Sequence, residues 1–131
     1  MESKHYQKLL YTAPFGYAYH RIMVDNNGLP IDYEFIEINK AFEKLTGLES
    51  QNVINSTITQ VIPNIKNDTF NWIQFYGNIA LHGGEEEFEQ FSEQLKRWYK
   101  VQVFSPIKYY FSTVFIDITA EKIMSQSVTE L

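Results

Sequence analysis

Asp32-Tyr33-Glu34-Phe35-Ile36-Glu37-Ile38-Asn39-Lys40-Ala41-Phe42-Glu43-Lys44-Leu45-Thr46-Gly47 reads as a strand that stops at an asparagine, a helix of under two turns, and a closing glycine. Asn39 has the side chain wanted at a helix N-cap, because its oxygen accepts one of the unpaired N–H groups of the first turn. Ala41, Phe42 and Leu45 then fall at i, i+1 and i+4 on one face of the short helix. Gly47 takes the left-handed backbone that ends a helix without a steric penalty.

Upstream, Tyr6, Leu9, Leu10 and Ala13 sit at i, i+3, i+4 and i+7, so residues 3–12 read as an amphipathic helix that Pro14 ends. Gly16 to Val24 is a tyrosine-rich strand candidate. Asp25-Asn26-Asn27-Gly28 is a turn signal, and a second strand from Ile31 to Ile38 completes a hairpin. Downstream, Ser50 to Ile62 breaks into short helical pieces before Pro63. A clearer helix starts near Asp68, with Asn67 or Asp68 as its cap and Trp72, Ile73, Tyr76, Ile79 and Ala80 on its apolar face. Gly83-Gly84 ends it.

The last third is strand-like: Glu85–Phe91, Arg97–Ser105 and Tyr109–Ile118, joined by short turns. Tyr99, Val101 and Val103 share one face, opposite Trp98 and Phe104. Phe111, Thr113 and Phe115 oppose Tyr110, Val114 and Ile116. Both faces are apolar, so both need a cover. The element order predicts an α+β fold, a five-stranded antiparallel sheet with short helices on one face and an N-terminal amphipathic helix.

At 131 residues the chain suits one domain, and its aromatic share of 16% implies a bulky core or a ring-lined pocket. A net charge of -5 argues against nucleic acid, which asks for a basic surface. The acidic run Glu85, Glu86, Glu87, Glu89 and Glu93 reads as a solvated face. The absence of cysteine excludes disulfides, thiolate nucleophiles and Cys-bound metals, and fits a reducing cytosol. No stretch has the length or apolarity of a membrane span or signal peptide, so the expectation is a cytoplasmic segment. The final Ser125-Gln126-Ser127-Val128-Thr129-Glu130-Leu131 carries no helix stop signal, which reads as a fragment of a longer chain.

In this order, the Asn39–Gly47 unit, the single long helix after Pro63, and Phe115-Ile116-Asp117-Ile118-Thr119-Ala120-Glu121-Lys122 resemble the PAS sensory domains of sensor histidine kinases and cyclic-dinucleotide signalling proteins. The resemblance covers roughly residues 5–122. The third motif looks like the Asp-Ile-Thr exit by which such domains pass the chain to a linker helix. It implies residues 1–13 as a dimerising helix, 14–119 as the domain and 120–131 as the start of a linker to an output domain. Asn55 stands where many members have glycine, and asparagine tolerates φ > 0 best among the other residues.

The resemblance implies a sensory, non-catalytic module with a cavity between sheet and short helices. Its lining candidates are Phe42, Ile58, Trp72, Tyr76, Tyr99, Val101 and Phe111, with plain core packing as the competing reading of each. The expected ligand is apolar or aromatic, oriented by tyrosine hydroxyls. Asp117 and Thr119 are the expected relay, because their oxygens suit the cap of a helix starting near Ala120.

No cofactor is expected. The Asn-Cys-Arg motif of flavin photosensors is missing. Haem-binding members use a histidine on or beside the long helix, whereas His82 sits at the helix end as an exposed residue would. His20 reads as a sheet-surface histidine, out of phase with Tyr17 and Tyr19, and no His/carboxylate cluster has metal spacing. A homodimer is expected through the N-terminal stripe and a seam of Met124, Val128 and Leu131. Two other classes stay open: a ligand-free dimerisation or docking module, and a small cone-shaped α+β enzyme of isomerase type. The enzyme would need a buried acid with a raised pKa, for which Asp117 is the only strand candidate.

Overall fold

The computed structural model describes residues 2–130, and the side chains of residues 4–126. The chain runs α1 (Glu2–Thr12), β1 (Gly16–Val24), β2 (Pro30–Ile38), α2 (Lys40–Thr46), α3 (Ser50–Val53), α4 (Ile58–Val61), a 3₁₀ turn (Ile65–Asn67), α5 (Trp72–His82), β3 (Glu85–Ser92), β4 (Arg97–Phe104), β5 (Tyr110–Asp117) and α6 (Thr119–Glu130). The strands form one antiparallel sheet in the order β2-β1-β5-β4-β3. The α+β architecture expected from the pattern is present.

Local chemistry accounts for most joints. Asn39 caps α2 through Phe42 N at 2.9 Å, and Gly47 closes it at φ 77°. Asn55, at φ 68°, makes the positive-φ turn between α3 and α4. Thr57 and Gln60 cap the start of α4 reciprocally, satisfying two backbone donors.

The helix start expected at Asn67 or Asp68 is corrected. The cap of α5 is Asn71, whose oxygen accepts from Gln74 N at 3.1 Å. Asp68 instead accepts from Trp72 Nε1 at 2.9 Å, so its carboxylate holds the indole and not a helix end. Further along, Gly77 lets α5 cross the hairpin, since a Cβ there would lie 2.3 Å from Pro30 Cγ.

The surface placement expected for His20 is also corrected. On β1 the inward phase is Gly16, Ala18, His20 and Ile22, all buried, while Tyr17 and Tyr19 face outward half-buried. Small residues bring β1 close under Phe115, whose ring would lie 2.5 Å from a Cβ at Gly16. That contact sets the phase, and His20 follows it into the core. A bulge in β2 opposite Tyr19 and His20 then lets Phe35 and Ile38, three residues apart, both face inward.

The core lies between the sheet's inner face and α2–α5. The outer face carries the Tyr19–Tyr110 stack (5.7 Å), the Phe91–Trp98 pair (5.7 Å), and exposed Phe104 and Ile116. Helix α1 packs on α2, with Tyr6 and Leu9 exposed. Of the expected terminal seam, Met124 is exposed, and the side chains of Val128 and Leu131 lie outside the described residues. Among the described residues no helix is long and apolar enough to cross a membrane.

Candidate functional site

Between sheet and helices lies a cavity of about 90 Å³. Phe42 and Thr46 of α2 and Ile58 of α4 form one wall, Trp72 and Tyr76 of α5 the roof, and Tyr99 and Val101 of β4 part of the floor. His20, Tyr33, Phe35, Thr113 and Phe115 complete the floor, and half-buried Leu48, Ile62 and Leu95 lie toward the rim. Six of the seven lining candidates therefore meet at one cavity. The seventh, Phe111, stands one layer back. It is fully buried, stacked on His20 (4.4 Å, 15°) and on Tyr76 (4.9 Å, 19°), and it supports the two rings that do line the space.

No Lys, Arg, Asp or Glu lines the cavity. Burial pushes the His20 imidazole down to about 3, against a weaker opposing pull from the Phe111 carbonyl, so the ring is neutral at physiological pH. Burial pushes the Tyr33 and Tyr76 hydroxyls well above their ordinary value, and at Tyr33 the charges of Tyr76 and Asp32 add to it. Burial first, and the Asp117 charge second, raise Tyr99 to about 12, while its hydroxyl donates to Leu45 O at 2.9 Å. His20 and Tyr33 were missed as lining residues. The signal in the sequence was the small-residue phase Gly16, Ala18, His20 on β1.

At the exit from the sheet, Asp117 Oδ1 accepts from Thr119 N (2.9 Å) and Oδ2 from Arg97 Nη1 (2.8 Å). Thr119 accepts from Trp98 N at 2.8 Å through its hydroxyl, so that oxygen ties α6 back to β4 and not to the helix start. Burial raises the Asp117 carboxyl, but the Thr119 hydrogen bonds and Arg97 outweigh it and hold it below its ordinary value. Lys122 adds an ion pair to Glu89 (2.7 Å) and lies 4.9 Å over the Trp98 ring. His82 is exposed at the end of α5. Among the described residues no group of three or more His, Cys, Asp or Glu side chains is placed to hold a metal ion.

The fold is similar to that of solved PAS and light-oxygen-voltage domains. The chain matches a structure of an RNA-binding Light-Oxygen-Voltage Receptor with TM-score 0.63 at 14% identity, over 98% of this chain and 38% of that one. It matches the PAS domain of an HTR-like protein from Haloarcula marismortui with TM-score 0.53 at 14% identity, over 89% of this chain and 97% of that one. A domain of the sensory box sensor histidine kinase/response regulator from Geobacter sulfurreducens matches with TM-score 0.56 at 12% identity, over 88% and 94% of the two chains. No protein-family model and no curated protein matches the chain. The chain has the PAS fold.

Proposed function

We propose that this chain is a sensory PAS domain of a signalling protein, which binds a small apolar or aromatic ligand and relays occupancy through its terminal helices. The observation that carries the reading lies on β4. Tyr99 and Val101 line the cavity, while their neighbours Arg97 and Trp98 hold Asp117 and Thr119 at the root of α6. A displacement of β4 by a ligand thus reaches the exit helix through two hydrogen bonds. In the longer protein, α6 leads to a histidine kinase or cyclic-dinucleotide output domain, in the cytoplasm.

The domain works without a coloured cofactor. It has no cysteine for a flavin adduct, and the cavity of about 90 Å³ is far below the roughly 300 Å³ at which cofactor-sized pockets begin. An absorption spectrum should contain only the aromatic band. No catalytic role is assigned: Asp117, the acid the isomerase reading needs, is held below its ordinary pKa, not above it.

Native mass spectrometry of freshly purified protein tests the ligand reading. A small organic mass, lost on unfolding and refolding, is expected. A second reading, a dimerisation module with a nearly filled core, is favoured by the small cavity and by exposed Tyr6, Leu9, Phe104 and Ile116. For both readings light scattering should give a homodimer that weakens when residues 1–13 are removed. A protein that carries and binds nothing, yet dimerises, would leave the second reading standing.

A further inference from the structure

The cavity is apolar in area but not in its polar equipment. His20 Nδ1 lies 3.4 Å from the carbonyl oxygen of Phe111 on the neighbouring strand. For that contact to be a hydrogen bond, the ring proton sits on Nδ1, which leaves Nε2 on the opposite edge as a bare acceptor. Tyr33 and Tyr76, 5% and 6% exposed, also line the space, and neither hydroxyl has a hydrogen-bond partner among the described residues. None of these three atoms is sealed off, since the one fully buried side-chain polar atom without a partner among the described residues is Asp68 Oδ1, so each is open to a partner that enters the cavity.

We infer that the cavity recognises an uncharged single-ring molecule through a hydrogen-bond donor, a phenolic O–H or aromatic N–H, delivered to His20 Nε2, with Tyr33 and Tyr76 as further contacts. The inference rests on the ligand reading above and specifies its chemistry.

Charge is excluded because no ionic side chain lines the cavity, and an ion buried without a partner is costly. A ring is favoured because the walls are rings with edges and faces on offer: Tyr33 meets His20 edge-on at 5.1 Å and Tyr76 edge-on at 5.7 Å. Size limits the molecule to one ring. A cavity of roughly 150 Å³ accepts benzene, and this one, at about 90 Å³, has to widen to take even one ring, with half-buried Leu48 and Leu95 among its lining.

The test titrates the chain with phenol, toluene and benzoate, followed by backbone amide NMR and by the ¹⁵N shift of His20 Nε2. Phenol should bind about tenfold tighter than toluene, the worth of one or two neutral hydrogen bonds. Benzoate should not bind, and the Nε2 resonance should move with phenol only. His20→Phe keeps the stack on Phe111 and should abolish the preference. If that variant does not fold, Tyr76→Phe should narrow the preference, and the Nε2 shift in the unaltered chain decides independently. Equal binding of phenol and toluene with a stationary Nε2, or tight benzoate binding, overturns this inference and leaves a ligand cavity in place. Binding of none of the three overturns the inference together with the ligand reading.

Discussion

Asn39 and Asp117 stand at the two places where the sheet hands the chain to a helix, and they hold it by different chemistry. Asn39 is buried, and its neutral amide is fully used. Its oxygen accepts from Phe42 N and Tyr17 N, both at 2.9 Å, and its nitrogen donates to Leu10 O (2.7 Å) and Phe15 O (2.9 Å). One side chain thus joins α1, β1 and α2. Asp117 is partly exposed and works through charge, opposite an Arg97 side chain that is 53% exposed. Water and salt compete for the second joint far more than for the first, where the Asn39 side chain itself is buried. A buried hub with no alternative partners stays put, whereas an exposed ion pair exchanges partners at little cost. The entry to the domain is therefore a fixed joint, and the exit is the one suited to move.

The largest expected effect tests the fixed joint. Asn39→Ala removes the partner of the Tyr17 and Phe42 N–H groups and of the Phe15 carbonyl, while Leu10 O keeps Ala13 N at 3.4 Å. At roughly 1 kcal/mol for each of the three, urea unfolding should show a loss of about 3 kcal/mol. The amides of Tyr17 and Phe42 should also lose their protection from hydrogen exchange. A loss below about 1 kcal/mol would mean that Asn39 is an ordinary helix cap, and the contrast with Asp117 would fail.

Acid separates the cavity from both joints. The His20 pKa is depressed to about 3 in the folded state, so the unfolded chain binds one more proton between the ordinary histidine value of 6.5 and about 3. Stability therefore falls as the pH drops through that window. From pH 8 to pH 5 the loss should be about 2 kcal/mol, at 1.36 kcal/mol per pH unit below the unfolded pKa. His20→Phe should flatten the profile there. Asp117 acts lower. Its folded pKa lies below the ordinary 3.8, so its contribution persists above that value and disappears only as the pH falls through the folded pKa. A pH profile of the His20→Phe variant that stays as steep as the original would place the acid sensitivity elsewhere.

What could be read from the sequence was what neighbouring residues decide among themselves. The Asn39 cap and the left-handed Gly47 lie eight residues apart, and the Gly83-Gly84 stop and the strand limits are equally local. What could not be read depended on distant partners. The facing of His20 follows from Phe115 pressing on Gly16, a contact across strands about a hundred residues apart. Phe111 looked like a lining residue because it shares the inward phase of β5, but the rings of His20 and Tyr76 stack between it and the space. Asp68 had the right side chain for a cap. Local rules cannot rank that use against a bond to Trp72 Nε1. The full use of the Asn39 amide was hidden for the same reason, since three of its four partners lie more than twenty residues away.

The smallest expected effect on stability, and the largest expected on signalling, is at Asp117. Asp117→Ala removes one bond to Thr119 N and one exposed ion pair, while Thr119 keeps its own bond to Trp98 N and Lys122 keeps Glu89 and Trp98. The cost should be about 1 kcal/mol or less, the range of a capping bond discounted for solvent. Thermal melts should show a folded domain with a slightly lower midpoint, and added salt should narrow the difference between variant and original. The first turn of α6 then has one tether to β4 fewer, and β4 is the strand whose Tyr99 and Val101 line the cavity. An output assay of the full-length signalling protein should therefore show a strong change in activity. Unchanged output beside unchanged stability would make Asp117 a strand-end carboxylate in water, and the adjustable joint would have to be sought at Lys122 and Glu89.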